Sequence, residues 1–207
     1  MMDHIAIIDH ASDADIAAWL ATRIGGALGL SDGSVALALP GGATPFPILK
    51  RLVTYPLPWH RLAIYPTDDR LVGEDHPASN TGKLRALFAP LGADVCALEQ
   101  QSSPPDFALV WLGMGADGHI ASLFPNTDPK PNDPQQVRRL TPDPLPPEAP
   151  FDRITLTIPA LLNCDEMLFV IRGDDKRALF AAAARGEGDL PVARLLAACD
   201  APVTCFT

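Results

Sequence analysis

One histidine of the chain follows a glycine-rich loop at a strand end, a position where acid–base chemistry is common. The apolar segment Asp106–Leu112 predicts a buried strand, and the loop Gly113–Gly118 comes directly after it. The loop presents Asp117 and His119 where ligand sites of α/β proteins form. An imidazole titrates near neutral pH, so it can take and return a proton. A structural histidine is the alternative interpretation.

The same loop formally matches the G-x-G-x-x-G pattern of dinucleotide-binding folds. Those folds need a long helix next, then a second strand that ends in an acid about 20 residues further on. Here Pro125 interrupts after a short stretch, and residues 125–150 contain nine prolines. Prolines exclude a helix or a central strand, so we interpret 125–150 as a surface excursion and predict no dinucleotide site.

A second glycine-rich turn, Pro40–Pro45, lies between the predicted buried strand Ser34–Leu39 and a predicted helix. Adjacent glycines let backbone N–H groups approach a ligand, and a helix N-terminus favours an anion. The turn therefore predicts phosphate binding, and a simple turn capped by Thr44 is the alternative. Arg153 and Lys176 begin two other elements. They can clamp one phosphate, or they can be ordinary surface charges.

A third polar segment, Thr67–Arg70, follows the next predicted strand, with His76 and Ser79–Asn80 shortly after it. Acids and an arginine in such a cluster can bind sugar hydroxyls or transfer protons. The alternative is a solvated loop in which Asp69 and Arg70 form an exposed ion pair that contributes little to stability.

Segments with strand-like and helix-like spacing alternate along the chain. The alternation predicts an α/β protein of three αβα layers with a mainly parallel, doubly wound sheet, Rossmann-like but without a dinucleotide. We expect residues 1–207 to form a single domain whose loops after Leu39, Tyr65, Leu112 and Ile171 converge on one site. The predicted strands are Ile5–Ile8, Ser34–Leu39, Arg61–Tyr65, Asp106–Leu112, Asp152–Ile158, Glu166–Ile171 and Val203–Phe206. The predicted helices are Asp13–Leu28, Pro45–Val53, Ser79–Phe88, Asp174–Arg185 and Val192–Ala198.

The composition restricts the partners and the compartment. With 16 Lys and Arg against 25 Asp and Glu, the net charge is −9, which argues against nucleic-acid binding but not against a small anionic substrate. The four cysteines form no C-x-x-C pair, so we predict reduced thiols and neither a zinc site nor a redox motif. The sequence shows neither a membrane-spanning apolar run nor a basic leader, so we expect a cytoplasmic protein without membrane contact.

Together these motifs resemble the 6-phosphogluconolactonase family, within the larger group that includes the glucosamine-6-phosphate deaminases. The resemblance runs from Ser34 to about Phe180, and its most specific element is Leu112–Pro125. The other matching motifs are, in chain order, Gly41–Pro45, Asp68–Arg70 with His76–Asn80, Arg153–Thr157 and Gly173–Lys176.

The resemblance implies a carboxylic ester hydrolase that converts 6-phospho-D-glucono-1,5-lactone to 6-phospho-D-gluconate in the oxidative pentose phosphate pathway. It implies that His119, supported by Asp117, transfers the proton, and that neither a metal nor a cofactor is needed. The glycine-loop N–H groups are candidates to stabilise an oxyanion. The implied phosphate ligands are Gly41, Gly42, Thr44, Arg153 and Lys176. The residues implied to surround the sugar ring are Asp68, Arg70, Gly113 and Gly115.

The sequence departs from the family pattern at three places. Pro40 stands where the family usually has Ser, Asp69 replaces a Glu, and residues 190–207 lack the Trp-x-x-Asp signature. Two alternatives stay open: a deaminase-like aldose–ketose isomerase, and an inert sugar-phosphate-binding module in which His119 has no task. The deaminases place a Glu where this chain has Phe124, and a phenyl ring cannot transfer a proton, which favours the lactonase. We expect a monomer or a weak dimer.

Overall fold

The computed structural model describes residues 2–145 and 150–207. Each predicted strand and helix overlaps an observed element of the same type. The strands are β1 (Ile5–Ile8), β2 (Val35–Leu39), β3 (Leu62–Pro66), β4 (Asp68–Arg70), β5 (Asp94–Val95), β6 (Leu109–Leu112), β7 (Val137–Leu140), β8 (Arg153–Leu156), β9 (Met167–Val170) and β10 (Val203–Phe206). The α-helices are α1 (Asp13–Leu30), α2 (Pro45–Leu52), α3 (Asn80–Phe88), α4 (Ile158–Leu162), α5 (Asp174–Ala184) and α6 (Pro191–Ala197).

Seven strands form a parallel sheet in the order β1-β10-β9-β6-β2-β3-β5. From β2 the chain moves outward to β3 and β5, then returns to β6 on the other side of β2 and continues to β9 and β10. This reversal opens a crevice at the carboxyl ends of β2 and β6, because the loops that follow them lead in opposite directions. The predicted α/β class with a mainly parallel, doubly wound sheet is confirmed.

Side chains of the central strands alternate between two apolar layers. On β6, Leu109 and Trp111 belong to the layer that includes α1, α2 and α3. Val110 and Leu112 belong to the layer that includes α4, α5 and α6. Strands covered on both faces have continuous apolar sequences, which is why the sequence identifies them well. No helix within the two described ranges is long and apolar enough to cross a membrane.

A second sheet of three antiparallel strands, in the order β4-β8-β7, is absent from the sequence-based prediction. The sequence predicts a polar loop over Thr67–Ala78, because the charged residues Asp68–Arg70 show no apolar alternation. Asp68–Arg70 is a strand because it pairs with β8. The edge strand β7 lies in the proline-rich excursion, between Pro134 and Pro142. Residues 146–149 of that excursion lie outside the described residues.

Two further short elements also differ from the prediction. The strand predicted over Asp152–Ile158 ends at Leu156, and α4 follows with Pro159 in its first turn. A proline at the start of a helix costs no backbone hydrogen bond, so it marks a helix start as readily as a strand end. The two residues of β5 are too few for a periodic pattern.

A buried carboxylate joins β4 to the start of α3. The side chain belongs to Asp69, which is only 6% exposed. It accepts hydrogen bonds from the backbone N–H groups of Arg70, Asn80 and Thr81 at 2.8, 2.6 and 2.8 Å. The hydroxyls of Ser79 and Thr81 donate to it at 3.2 and 2.6 Å. The interpretation of Asp69 and Arg70 as an exposed pair is therefore wrong.

We predict that Asp69→Ala lowers the free energy of unfolding by about 3 kcal/mol, because it leaves several buried donors without an acceptor. Urea denaturation of the purified variant measures the change. The matched control is Ser12→Ala, which removes the exposed N-cap of α1 and is expected to cost about 1 kcal/mol. Equal losses in the two variants would contradict the central role of Asp69.

Candidate active site

A cavity of about 510 Å³ lies at the carboxyl ends of β2, β3, β6 and β9. The four loops that follow these strands form its walls, as the sequence predicts. Two of the predicted site residues, Asp117 and Arg153, are not part of the lining. The predicted site residues that line the cavity are Gly41, Gly42, Thr44, Asp68, Arg70, Gly113, Gly115, His119 and Lys176.

His119 and Asp117 form a hydrogen-bonded pair at the cavity wall. Nδ1 of His119 lies 2.6 Å from Oδ1 of Asp117, and the backbone N–H of His119 donates to the same oxygen at 3.2 Å. This contact occupies Nδ1 and leaves Nε2 for chemistry in the cavity. Burial acts to raise the pKa of Asp117, but the charge and the two hydrogen bonds of His119 outweigh it and lower the pKa below the ordinary value. The carboxylate therefore stays ionised at neutral pH.

Gly115 passes close to the side chains of this pair. A Cβ atom at Gly115 would lie 2.2 Å from Nδ1 and Cε1 of His119 and 2.6 Å from Oδ1 of Asp117. Any other residue would therefore displace the pair. The N–H groups of Gly115 and Gly118 donate to the carbonyl oxygens of His119 and Gly115 at 2.9 and 3.1 Å. Because these two N–H groups are used inside the loop, they do not serve as oxyanion donors.

The turn at 40–45 presents unpaired polar groups to the cavity. Within the described chain, no acceptor takes a hydrogen bond from the N–H groups of residues 41–44. Thr44 precedes α2 without a side-chain capping bond, so the alternative of a turn capped by Thr44 is wrong. A Cβ atom at Gly41 would lie 2.0 Å from Cγ of Asn80, so glycine is required where the turn passes Asn80. Free N–H groups at a helix N-terminus suit an anionic ligand.

A hydrogen-bonded wall faces this turn. Asn80 donates from Nδ2 to the carbonyl oxygen of Asp68 at 2.7 Å and accepts a hydrogen bond from Arg70. The hydroxyl of Ser122 donates to the Asp68 carboxylate, and the backbone N–H of Ser122 donates to Thr155 at 3.2 Å. The polar groups that line this side of the cavity are thus fixed before any ligand enters.

The two cations predicted to clamp a phosphate occupy different surroundings. Lys176 lines the cavity, and its Nζ donates to the carbonyl oxygen of Met114 at 3.0 Å. Arg153 is 3% exposed and donates to the carbonyl oxygen of Phe151 at 2.7 Å. Burial and then the neighbouring charge of Arg70 lower the pKa of Arg153. Contact between Arg153 and a phosphate stays a prediction.

The ring of Phe124 packs against the catalytic candidate. Its centroid lies 4.8 Å from that of His119, at an interplanar angle of 42°. The sequence comparison with the deaminases singles out this position, and the structure shows that its side chain contacts the imidazole. A phenyl ring there offers packing without a second titratable group.

Three residues of the site have no role in the sequence-based prediction. The sequence analysis names Asn80 only as part of a motif. No sequence pattern marks Ser122 as a site residue, because its hydrogen-bond partner Asp68 is distant in sequence. Arg172 lines the cavity and directly follows the predicted strand Glu166–Ile171. The rule that ligands bind at carboxyl strand ends points to such a position. No group of three or more metal-binding side chains occurs within residues 2–145 and 150–207.

Comparisons with known proteins agree with this geometry. A family profile described as glucosamine-6-phosphate isomerases/6-phosphogluconolactonase matches residues 10–95 and 91–204. A 6-phosphogluconolactonase from Helicobacter pylori is 33% identical over 183 residues, which cover 78% of each chain. One from Pseudomonas aeruginosa is 34% identical over 206 residues, which cover 88% of this chain and 86% of the relative.

Two solved structures are similar in fold. A 6-phosphogluconolactonase from Shewanella baltica superposes with a TM-score of 0.83 at 24% identity, covering 100% of this chain and 98% of the other. The enzyme from Trypanosoma brucei gives 0.80 at 22% identity, covering 97% and 94%. At these identities the structures support the fold alone. With the family profile and the relatives above 30% identity, the chain belongs to the family of glucosamine-6-phosphate isomerases and 6-phosphogluconolactonases.

Proposed function

We propose that this chain hydrolyses 6-phospho-D-glucono-1,5-lactone to 6-phospho-D-gluconate, a step of the oxidative pentose phosphate pathway. The observation that carries the proposal is the His119–Asp117 pair, which shares one cavity with an anion-binding turn. Curated relatives at 31–34% identity are 6-phosphogluconolactonases, which supports the same reaction. The substrate is a small sugar phosphate, in keeping with the cavity volume of about 510 Å³.

The 6-phosphate is assigned to the side of the cavity formed by Gly41, Gly42 and Thr44. The unpaired N–H groups of this turn, the Thr44 hydroxyl and the positive end of α2 all favour an anion. Lys176 adds a full positive charge from the first turn of α5. Arg153 stays in the proposal through its positive charge, which interacts with Asp68 and Arg70 of the cavity lining.

The sugar ring then extends toward the Asp68–Arg70–Asn80 wall and the loop residues Gly113 and Gly115. Carboxylate and guanidinium groups on the wall offer an acceptor and donors to ring hydroxyls. Their mutual hydrogen bonds hold them in place, so little conformational entropy is lost when the ring binds. This orientation brings C1 of the lactone to the His119 side of the cavity.

In the proposed reaction, Nε2 of His119 takes a proton from water as the water oxygen attacks C1. A tetrahedral oxyanion forms, the bond between C1 and the ring oxygen breaks, and His119 returns the proton to that oxygen. The ionised Asp117 stabilises the imidazolium that exists between these steps. A lactone is an activated ester, so no covalent nucleophile is needed, and general acid–base help supplies about 10²–10⁴-fold.

We predict that His119→Ala lowers kcat by about 100-fold while KM changes little, because proton transfer is lost and binding groups remain. The assay follows lactone hydrolysis and is corrected for spontaneous opening. His76→Ala is the matched control, since His76 lies in another loop, accepts a hydrogen bond from the Ala78 N–H at 3.0 Å and does not line the cavity. An unchanged kcat in His119→Ala would refute the mechanism.

We expect Lys176→Ala to raise KM for the phosphorylated lactone at least about tenfold, since a charge-assisted contact to phosphate is removed. Unphosphorylated gluconolactone is expected to be a poor substrate whose kinetics the substitution leaves unchanged. Lys50→Ala, at an exposed position on α2, controls for the loss of one positive charge. Equal effects on both substrates would show that Lys176 does not recognise the phosphate.

The deaminase alternative makes a different prediction for the wild-type chain. Deamination of glucosamine-6-phosphate needs additional proton transfers between carbon atoms, and Phe124 places no titratable group beside His119. A coupled ammonia assay, run beside the lactonase assay at matched substrate concentration, is expected to show no ammonia above background. Ammonia release together with lactone opening no faster than in buffer would assign the chain to the deaminases. Binding of 6-phosphogluconate without either activity would indicate an inert binding module.

A further inference from the structure

Arg172 occupies a position in the cavity that the proposed reaction does not yet use. It follows β9 and directly precedes Gly173, whose φ of 93° lets the chain turn into α5. The residue lines the same cavity as Thr44 and Lys176. Its side chain is 38% exposed, so solvent and ligands reach the guanidinium.

Only one nitrogen of this guanidinium has a partner in the described part of the chain. Nη2 donates to the carbonyl oxygen of Ala11 at 3.1 Å and to the carboxylate of Asp13 at 3.4 Å. Both acceptors lie at the start of α1, so they orient the guanidinium from that side. An ion pair this long and this exposed is weak, and a dianionic phosphate can compete with it. A phosphate that displaces this ion pair meets the Nε–Nη2 or the Nη1–Nη2 edge of the guanidinium, and either edge matches two phosphate oxygens.

The negative charge of a bound phosphate is larger than one lysine can neutralise. A phosphate monoester carries about −1.5 to −2 charges at pH 7, and Lys176 supplies one positive charge. The cavity lining contains three arginine or lysine residues, and the third, beside Lys176 and Arg172, is Arg70. Arg70 donates hydrogen bonds to Asn80 and to the carbonyl oxygen of Ala78, on the side of the cavity proposed to bind the sugar ring. Arg153 does not line the cavity. Arg172 is therefore the lining cation available beside Lys176.

We propose that Arg172 is a specificity residue that binds the 6-phosphate together with Lys176. The assignment rests on the proposed function for the identity of the phosphate ester. Arg172 discriminates phosphorylated from unphosphorylated sugar lactones.

The experiment compares Arg172→Ala and Arg172→Lys in the 207-residue chain. We expect Arg172→Ala to raise KM for the phosphorylated lactone about tenfold or more, with kcat within about twofold and no change for gluconolactone. Arg172→Lys is expected to recover part of this loss, because lysine keeps the charge and loses the two-point contact. Calorimetric titration with 6-phosphogluconate and with inorganic phosphate measures anion affinity without turnover. We expect the affinity to fall in the order wild type, Arg172→Lys, Arg172→Ala.

Two control variants separate phosphate binding from a structural role. Arg177→Ala removes another arginine of the same 38% side-chain exposure, which pairs with Asp174 and does not line the cavity. It is expected to leave KM unchanged. Asp13→Asn weakens the link to α1 and is expected to keep KM within about twofold. If Asp13→Asn reproduces the loss, or if Arg172→Ala affects both lactones equally, Arg172 only anchors α1 and the proposal is overturned.

The failure of this proposal is distinguishable from that of the proposed function. A wild-type chain that does not open the lactone would refute the function, whereas the titrations with 6-phosphogluconate and phosphate would still test Arg172. Unchanged affinity of Arg172→Ala for both anions would refute the role of Arg172, whatever the wild-type activity. Circular dichroism and thermal unfolding verify that each variant is folded.

Discussion

The crevice that holds the site exists because two neighbouring parallel strands, β2 and β6, continue in opposite directions along the sheet. After β2 the chain enters α2 almost at once, and the N–H groups before that helix have no acceptor among residues 2–145 and 150–207. Directly after β6 the chain forms a loop instead of a helix, and Gly113–Gly118 folds back on itself and presents His119. One reversal in strand order therefore places the turn at 40–45, the proposed anion site, in the same cavity as His119, the proposed proton-transfer group.

The polar side chains around the cavity differ in how firmly they are held. Asp68 and Arg70 belong to a network that includes Asn80, Ser122 and Thr155, and Asp69 fastens the same strand to α3 from its buried side. Groups fixed in this way need little rearrangement during a reaction. On the opposite side, Lys176 is half-buried and donates to the Met114 carbonyl oxygen, whereas Arg172 is exposed and bonds through one nitrogen to two acceptors near the start of α1. The side proposed to bind the sugar ring is thus connected by hydrogen bonds among its own side chains, whereas the exposed Arg172 on the side proposed to bind the phosphate bonds only to residues near the start of α1.

The sequence predicts the features of this protein that depend on local pattern. Continuous apolar runs identify strands covered on both faces, and glycines at strand ends identify the two loops of the site. The sequence does not predict β4, because its residues show no strand pattern of their own. They form a strand because they pair with the distant β8. The same pairing sets Arg153 opposite Arg70 and buries it. Its location relative to the cavity therefore depends on a register that spacing along the chain does not encode.

The position of β10 has a consequence for the order in which the protein assembles. β10 pairs with β1 on one side and with β9 on the other, so Ile5 lies opposite Val203. During synthesis, β1 leaves the ribosome early and has no neighbour in the sheet until residues 203–206 emerge. Until then β1 is an apolar strand without a paired neighbour, and such unpaired strands are prone to aggregation. The pairing of β1 with β10 joins residues from the two ends of this sequence, and contacts between residues so distant in sequence are the kind that slows folding.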